Sequence, residues 1–439
     1  MFNDRKHLLV VSFDALGELD TKTHLDIMPN LRSLIEKGTH VQKVFGVYPT
    51  LTYPSHTTIV TGDYPKNHGI VNNTLTQIDR GLAPDWYWWA KYVKKPTLYQ
   101  LAHANRMDVA AFLWPVTAGS SAIKYNIAEI FPNRIWQNQY TQSFQASSPF
   151  FTIHMNSKFG KLRKGIAQPQ LDDFVTASAA WTIEKKYPNL TLVHLVDLDS
   201  MRHHYGVESK EAVAALARLD AHLGIMLAAL KKIQKLDKTN IVVLGDHYQI
   251  DVHAMVHLNY LFKQNSWLDY DQAKHVMTDW QVMAKTTDGS SYIYLREPKK
   301  AAGIAHLIKE HAGPAIEKIY SHDELAALGA DPKASLMVEA KAGYYFTDEV
   351  AVKEVIEEVD PNSVAQTDRY KAVHGFLPTK KNYQTTLVLS GPGIKPAFKI
   401  KSARLIDEAP TLARIMGLAF KEPIDGQEIS DAFIQKNSD

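Results

Sequence analysis

The sequence predicts an α/β protein built on a doubly wound, mostly parallel sheet that carries a small inserted α+β subdomain. Three observations carry this. Compact apolar, β-branched runs of strand length recur at residues 7–13, 190–196 and 240–245. Segments of helical character alternate with them, and strand, helix and parallel strand repeated in one chain wind helices onto both faces of a sheet. The rhythm breaks near residue 260 and returns after about 355. Residues 1–259 are therefore read as the first part of the core, 260–355 as the insert and 356–439 as the second part.

The first strand ends in Asp14-Ala15-Leu16-Gly17. Pro29 near its start and Gly38 past its end mark the next helix, with Leu31, Leu34 and Ile35 on one face. Pro49 and Pro54 bracket a turn before a short helix over residues 53–60 that stops near Gly62. Pro54 suits a first helical position, and Thr52 falls at the helix N-terminus. A helix is expected over 96–105 and a strand over 108–115. Residues 116–160, rich in Ser, Asn, Gln and aromatics, show no clean periodicity. A helix over 171–186 leads to the second apolar strand, which runs into Asp197-Leu198-Asp199, and a long amphipathic helix over 208–235 leads to the third, which ends in Asp246-His247. In the insert a strand is expected over 290–295, a helix over 301–312 and a strand pair over 335–346 turning at Lys341-Ala342-Gly343. After His374-Gly375-Phe376 come a strand over 385–390 and a last helix over 408–416.

Composition narrows the function. With 49 Lys and Arg against 47 Asp and Glu, the formal charge of +2 offers no footprint for a nucleic acid polymer, although nucleotides stay open as small substrates. Cysteine is absent, so disulfides, thiolate metal sites and a cysteine nucleophile are excluded, and any metal rests on His, Asp or Glu. The start of the chain mimics a signal peptide until Asp14 interrupts it, and no apolar run reads as a membrane span. A cytoplasmic protein without a membrane partner is expected. No pattern speaks to its oligomeric state.

Ligands of doubly wound sheets bind beyond the carboxyl ends of the strands. Three such ends carry Asp14, Asp199 and Asp246-His247. Asp199 and His203 lie four apart, so one helical turn aims both side chains the same way. Carboxylate and imidazole donors suit zinc and admit manganese or iron. A helix N-terminus favours an anion, and with metal ions nearby the Thr52 hydroxyl becomes a nucleophile rather than a plain cap.

Taken in order, Phe13-Asp14, Met28-Pro29-Asn30-Leu31, residues 49–56, residues 61–70, Phe112-Leu113-Trp114-Pro115, Asp199 with His203 and Gly206, Asp246-His247 and His374-Gly375-Phe376 resemble the nucleotide pyrophosphatase/phosphodiesterase family of the alkaline phosphatase superfamily. The resemblance implies an alkaline phosphatase-like sheet and two zinc ions, one held by Asp199, His203 and His374, the other by Asp14, Asp246 and His247 with the Thr52 oxygen. Thr52 then attacks phosphorus in line to give a phosphorylated or nucleotidylated threonine, which water hydrolyses. Asn73 matches a side-chain donor to a phosphoryl oxygen. Tyr53 matches an aromatic that stacks on a nucleotide base, and the matching segment brings Trp114 to the substrate. Tyr125, Trp136 and Tyr140 are candidates for a second stacking wall. The implied activity is a metal-dependent phosphodiesterase or nucleotide pyrophosphatase acting on a small phosphoester. The alternatives are a phosphonoacetate hydrolase, a phosphomonoesterase, or a pseudoenzyme that only binds nucleotides. Departures from the family pattern fall at Ala15, Met201-Arg202, Gly245 and Tyr248, and Arg202 and Tyr248 stand where they could reshape the pocket.

Overall fold

The structure, a computed structural model, describes residues 6–435 apart from 82, 361, 367 and 368. The leading segment 1–5, part of the signal-like stretch, lies outside them. Among the described residues the core is an eight-stranded sheet whose spatial order is Phe398–Arg404, Thr39–Phe45, Thr385–Ser390, Asn240–Leu244, Leu8–Phe13, Leu190–Leu195, Val109–Phe112 and Tyr125–Ile127. Thr385–Ser390 runs antiparallel to both neighbours, and the other pairings are parallel.

The central strand shows why an unbroken apolar run was needed. Its residues alternate between faces. Leu8 and Val10 pack into one hydrophobic cluster with Ile59, Leu98 and Leu412, whereas Leu9, Val11 and Phe13 pack into another with Leu31, Phe174 and Leu219. The helices Thr52–Thr61, Leu98–Ala104 and Glu408–Ile415 thus cover one face, and Pro29–Lys37, Gln170–Lys186 and Lys210–Lys232 the other.

Several elements differ from the sequence reading. The edge-side strands Thr39–Phe45 and Phe398–Arg404 were not foreseen, because both mix polar residues with the apolar ones. The aperiodic segment 116–160 contains the helices Gln139–Ala146 and Pro149–Phe159. Leu336–Ala340 and Gly343–Phe346 are both strands but not a pair. Gly343, at φ +97°, turns the chain so that Gly343–Phe346 joins Ile250–Val256 in parallel. The helix Lys210–Lys232 is long and apolar enough to cross a membrane, contrary to expectation. Here it is a core helix, and Asp220 within it accepts the Leu31 N–H at 2.8 Å.

Among the described residues three smaller sheets stand beside the core, one of them the antiparallel pair Leu268–Asp271 and Val276–Trp280. Val282–Thr286, Ser290–Leu295, Leu336–Ala340 and Ile316–Ser321 form an antiparallel four-stranded sheet in that order. Ile250–Val256 pairs with Gly343–Phe346 in parallel and with Ile356–Glu358 and Ala372–Val373 in antiparallel. The last of these pairings matters most for function. It delivers the residue after Val373, His374, to the edge of the core sheet.

Candidate active site

Leu8–Phe13 lies between Asn240–Leu244 and Leu190–Leu195, all three parallel, with Ser12 opposite Leu244 and Phe13 opposite Leu195. Their carboxyl ends therefore coincide in space. Asp14 follows the central strand directly, Asp246 lies two residues past its strand, and Asp199 sits in the first turn of the helix Asp197–Tyr205. The Ala15 N–H donates to Asp246 Oδ1 at 3.2 Å, tying two of the three ends together.

His247 Nε2 lies 3.2 Å from Asp14 Oδ1, 3.3 Å from Asp246 Oδ2 and 3.0 Å from Thr52 Oγ1. Asp199 Oδ1 lies 3.4 Å from His203 Nε2 and 4.0 Å from His374 Nε2. Among the described residues two groups of donors bunch tightly enough to hold a cation, Asp14 with Asp246 and His247, and Asp199 with His247 and His374, each with its donor atoms within 4.8 Å of one another. His247 stands in both, its ring 4.1 Å from that of His374. His203 joins the second group through Asp199.

The donor chemistry fits metal ions. His203 Nδ1 donates to the Ala372 carbonyl at 2.8 Å, which turns Nε2 toward Asp199. Asp14 Oδ1, Asp246 Oδ2 and His247 Nδ1 are buried without hydrogen-bond partners. Burial, and then Asp199, pushes the Asp14 carboxyl well above its usual range, and burial, then Asp14, does the same for Asp246. Burial opposes charge on Asp199 too, but His203 outweighs it and holds that carboxyl low. Burial and His203 hold His374 down at about 3, so its imidazole is neutral, as a metal ligand must be. Crowded buried carboxylates beside neutral imidazoles are an arrangement that divalent cations stabilise.

Thr52 is the first residue of the helix Thr52–Thr61. Leu51 is its N-cap, with no side-chain cap bond, so the Thr52 hydroxyl is not engaged in capping; Pro54 is the third helical residue rather than the first. Every residue of this helix is buried, and Gly62, at φ +75°, ends it. One turn on, His56 Nδ1 donates to the Thr52 carbonyl at 2.8 Å while its Nε2 meets Ser12 Oγ at 2.9 Å. These bonds fix the helix start against the central strand.

A cavity of about 600 Å³ opens onto Asp14, Thr52, Asp199, His203 and His374. Asn73 also lines it, its carbonyl oxygen accepting the Tyr53 N–H at 2.9 Å. The aromatic expectations need correction. Tyr53 lines the cavity but is fully buried, its ring against Trp86 at 5.3 Å, and Trp86 with Phe131 edge-on to it at 5.5 Å are the partly exposed aromatics beside it. Trp114 is a core residue, edge-on to His56 at 4.9 Å, and does not line the cavity. Tyr125 packs on Phe151, and neither Trp136 nor Tyr140 lines the cavity.

Of the departures from the family pattern, Ala15, Arg202, Gly245 and Tyr248 form one packing unit behind the site. Ala15 adopts φ +68°, and the Arg202 guanidinium donates to its carbonyl and to both oxygens of Asp20. The same guanidinium lies 4.7 Å over the Tyr248 ring, which presses so closely on Gly17 that a Cβ there would stand 2.3 Å from it. At Gly245 a Cβ would meet the Leu16 carbonyl at 1.9 Å. Arg202 and Tyr248 are buried and line no part of the cavity, so they brace the Asp14 loop and leave the pocket's shape alone.

Three residues that the sequence reading passed over belong to the site. His194 Nδ1 donates to the Leu113 carbonyl at 3.1 Å, so its Nε2 meets Asp14 Oδ2 at 2.9 Å and positions that carboxylate. Asp288, from the insert, places Oδ2 3.6 Å from His374 Nδ1. Glu129 lines the cavity, and burial raises its carboxyl to about 7. A histidine inside the apolar strand Leu190–Leu195 was the one signal available in advance.

Fold and site together define an alkaline phosphatase-like α/β protein, with acid and imidazole donors gathered at the carboxyl edge of its sheet. The chain belongs to the type I phosphodiesterase/nucleotide pyrophosphatase family, whose family model matches residues 8–377. Among similar proteins, venom phosphodiesterase 2 of Crotalus adamanteus is 25% identical over 252 residues, 56% of this chain and 27% of that protein. Ectonucleotide pyrophosphatase/phosphodiesterase family member 1 of Homo sapiens is 26% identical over 251 residues, 54% of this chain and 23% of that protein. The match thus takes in about a quarter of each relative's length. Human ectonucleotide pyrophosphatase/phosphodiesterase 5 superposes with a TM-score of 0.68 at 19% identity, covering 98% of this chain and 100% of that one. An inactive murine form of the same protein, in complex with AMP, gives 0.66 at 18% identity with the same coverage.

Proposed function

We propose that the protein is a metal-dependent phosphodiesterase or nucleotide pyrophosphatase with Thr52 as its nucleophile. The observation that carries this is the 3.0 Å separation of Thr52 Oγ1 from His247 Nε2, at the centre of the Asp14, Asp246 and His247 group. Asp14, Asp246 and His247 hold one ion, and Asp199, His203 and His374 the other; zinc suits these donors, and manganese or iron is admitted. Bound ions supply the Lewis acidity that makes an alcohol oxygen nucleophilic near neutral pH.

The chain's own residues do the rest. The helix N-terminus sets the Thr52 oxygen against phosphorus and favours the negative charge that gathers there. As the Thr52 Oγ–P bond forms, the bond to the leaving oxygen breaks. Water then attacks the phosphorus of the esterified phosphothreonine, breaks the Thr52 Oγ–P bond, releases the phosphate monoester and restores the hydroxyl. The Asn73 amide, its carbonyl occupied by Tyr53, directs N–H toward a phosphoryl oxygen. The aromatic wall of Trp86 and Phe131 favours a phosphoester carrying a flat group such as a nucleotide base over phosphonoacetate, which would leave that wall uncovered.

The test combines metal analysis with parallel assays on a chromogenic nucleotide diester, a chromogenic monoester and phosphonoacetate, with Thr52→Ala as control. Turnover of the diester above the other two supports the reading. Bound metal without turnover of any would leave a nucleotide-binding pseudoenzyme.

A further inference from the structure

Twelve large apolar side chains are exposed among the described residues, and eight of them lie between residues 135 and 166. The helix Pro149–Phe159 shows that they are not a by-product of folding. Its Phe151 packs on Phe112 and Tyr125 and its Met155 is buried, which already gives the helix a face for the core. Phe150 and Ile153, three apart and so on one side of the helix, are nevertheless 86% and 56% exposed. On the neighbouring helix Gln139–Ala146, Tyr140 and Phe144 are likewise one turn apart and exposed, and just before it Trp136 is 77% exposed. Tyr140, Phe144, Ile153 and Ile166 meet around one recess, so these side chains form a single face, and a face of this kind marks a surface that something covers.

The charge around this face has one sign. Residues 130–171 contain Arg134, Lys158, Lys161, Arg163 and Lys164 and no Asp or Glu. Arg134 pairs with Asp85 and Arg163 donates to Asn156, but Lys158, Lys161 and Lys164 are exposed and form no ion pair among the described residues. We propose that this face docks on an anionic lipid surface, with Trp136, Phe150 and Ile153 in the boundary between headgroups and acyl chains and the three lysines against the lipid phosphates. Exposed apolar and aromatic side chains rimmed by lysine are the composition of protein faces that lie in that boundary, Trp and Tyr settling at headgroup depth. A second copy of the chain fits poorly. A two-fold contact sets the same patch against itself, and with no carboxylate in the segment the lysines would meet lysines. An interfacial face needs no spanning segment, so the proposal reverses the expectation of no membrane partner. It goes beyond the diesterase reading and does not depend on it, because it places no residue of this face in the reaction.

The experiment is cosedimentation of the full chain with vesicles of phosphatidylcholine alone and of phosphatidylcholine mixed with phosphatidylglycerol, each at low and high salt. Binding to the mixed vesicles that weakens with salt, and that is at least about tenfold weaker without phosphatidylglycerol, supports the proposal. Lys161→Gln and Lys164→Gln are each expected to weaken it about fivefold. Phe150→Asp combined with Ile153→Asp is expected to abolish it with the melting temperature unchanged, since both side chains already face water. No sedimentation with the mixed vesicles would overturn the proposal, as would binding that survives the two aspartates. Equal, salt-independent binding to both compositions would overturn the assignment to an anionic surface. A dimer in solution that the two aspartates disperse, with no vesicle binding, would give the face to a second copy of the chain instead.

Discussion

The Tyr53 backbone N–H donates to the Asn73 side-chain carbonyl at 2.9 Å, and this bond decides which end of the amide faces the catalytic cavity. In the proposed reaction the Asn73 NH₂ is the end left to donate to a phosphoryl oxygen as charge develops on it. Asn73→Ala is expected to lower kcat roughly 10²- to 10³-fold with little change in KM, the signature of a donor acting on the transition state. Equal losses in binding and turnover on a nucleotide diester would count against this role.

Thr52 stands free of capping duty, so its replacement costs the fold little. Thr52→Ala is expected to lose at least about 10⁴-fold in turnover while keeping its metal content and its melting temperature within a few degrees. Metal analysis and a thermal scan, run beside the assay, check both halves.

Asp14 and Asp246 bury carboxylate oxygens that no protein hydrogen bond reaches. Removing metal with a chelator is expected to abolish turnover and lower stability by about 3 kcal/mol relative to protein in metal at a hundredfold excess over Kd. Readdition of zinc, manganese or iron, one at a time, should restore both and identify the ion. A melting curve indifferent to the chelator would contradict the paired-ion reading.

Asp20 and Arg202 form a pair with side chains 0% and 1% exposed. Asp20→Asn leaves the guanidinium charge buried and is expected to cost about 3 kcal/mol, measured by urea unfolding. Because the same guanidinium holds the Ala15 carbonyl, metal affinity at Asp14 should also fall, by about tenfold or more.

His68 is fully buried; its Nδ1 accepts the Ile70 N–H at 3.2 Å, and its other nitrogen lies 3.0 Å from Thr58 Oγ1. Burial lowers its pKa to about 3 from an ordinary 6.5. Between those values the unfolded chain binds a proton that the folded chain refuses. The stability His68 contributes is therefore whole above about 6.5 and is lost as pH falls toward about 3, by a few kcal/mol in all. His68→Gln should flatten the dependence of unfolding free energy on pH between 4 and 6 by nearly one proton. An unchanged slope would show that other groups dominate the acid limb.

Much of this molecule was legible from residue order. The apolar runs at residues 8–13, 190–195 and 240–244 identified the three central strands, because a strand buried on both faces admits little else. The spacing of Asp199 and His203 became one helical turn, as helical periodicity requires. The edge-side strand Phe398–Arg404 carried only a short signal, the Phe398-Lys399-Ile400-Lys401 alternation with no fully buried residue. The pairing of Gly343–Phe346 was missed for another reason. Local turn chemistry says that a chain reverses, not which distant strand receives it.

The sequence by itself determined the chemistry available: no thiol, carboxylates and imidazoles at strand ends, and one threonine at a helix start. Only the tertiary structure decided how these meet. Hydrogen-bond register between strands far apart in the chain sets Asp14 between Asp199 and Asp246, and a separate small sheet carries in His374. It also put Trp114 in the core and set Trp86 and Phe131 beside Tyr53 along the cavity. The reason is physical: which face of an aromatic ring meets solvent depends on what packs against its other side, and those neighbours come from segments remote in sequence.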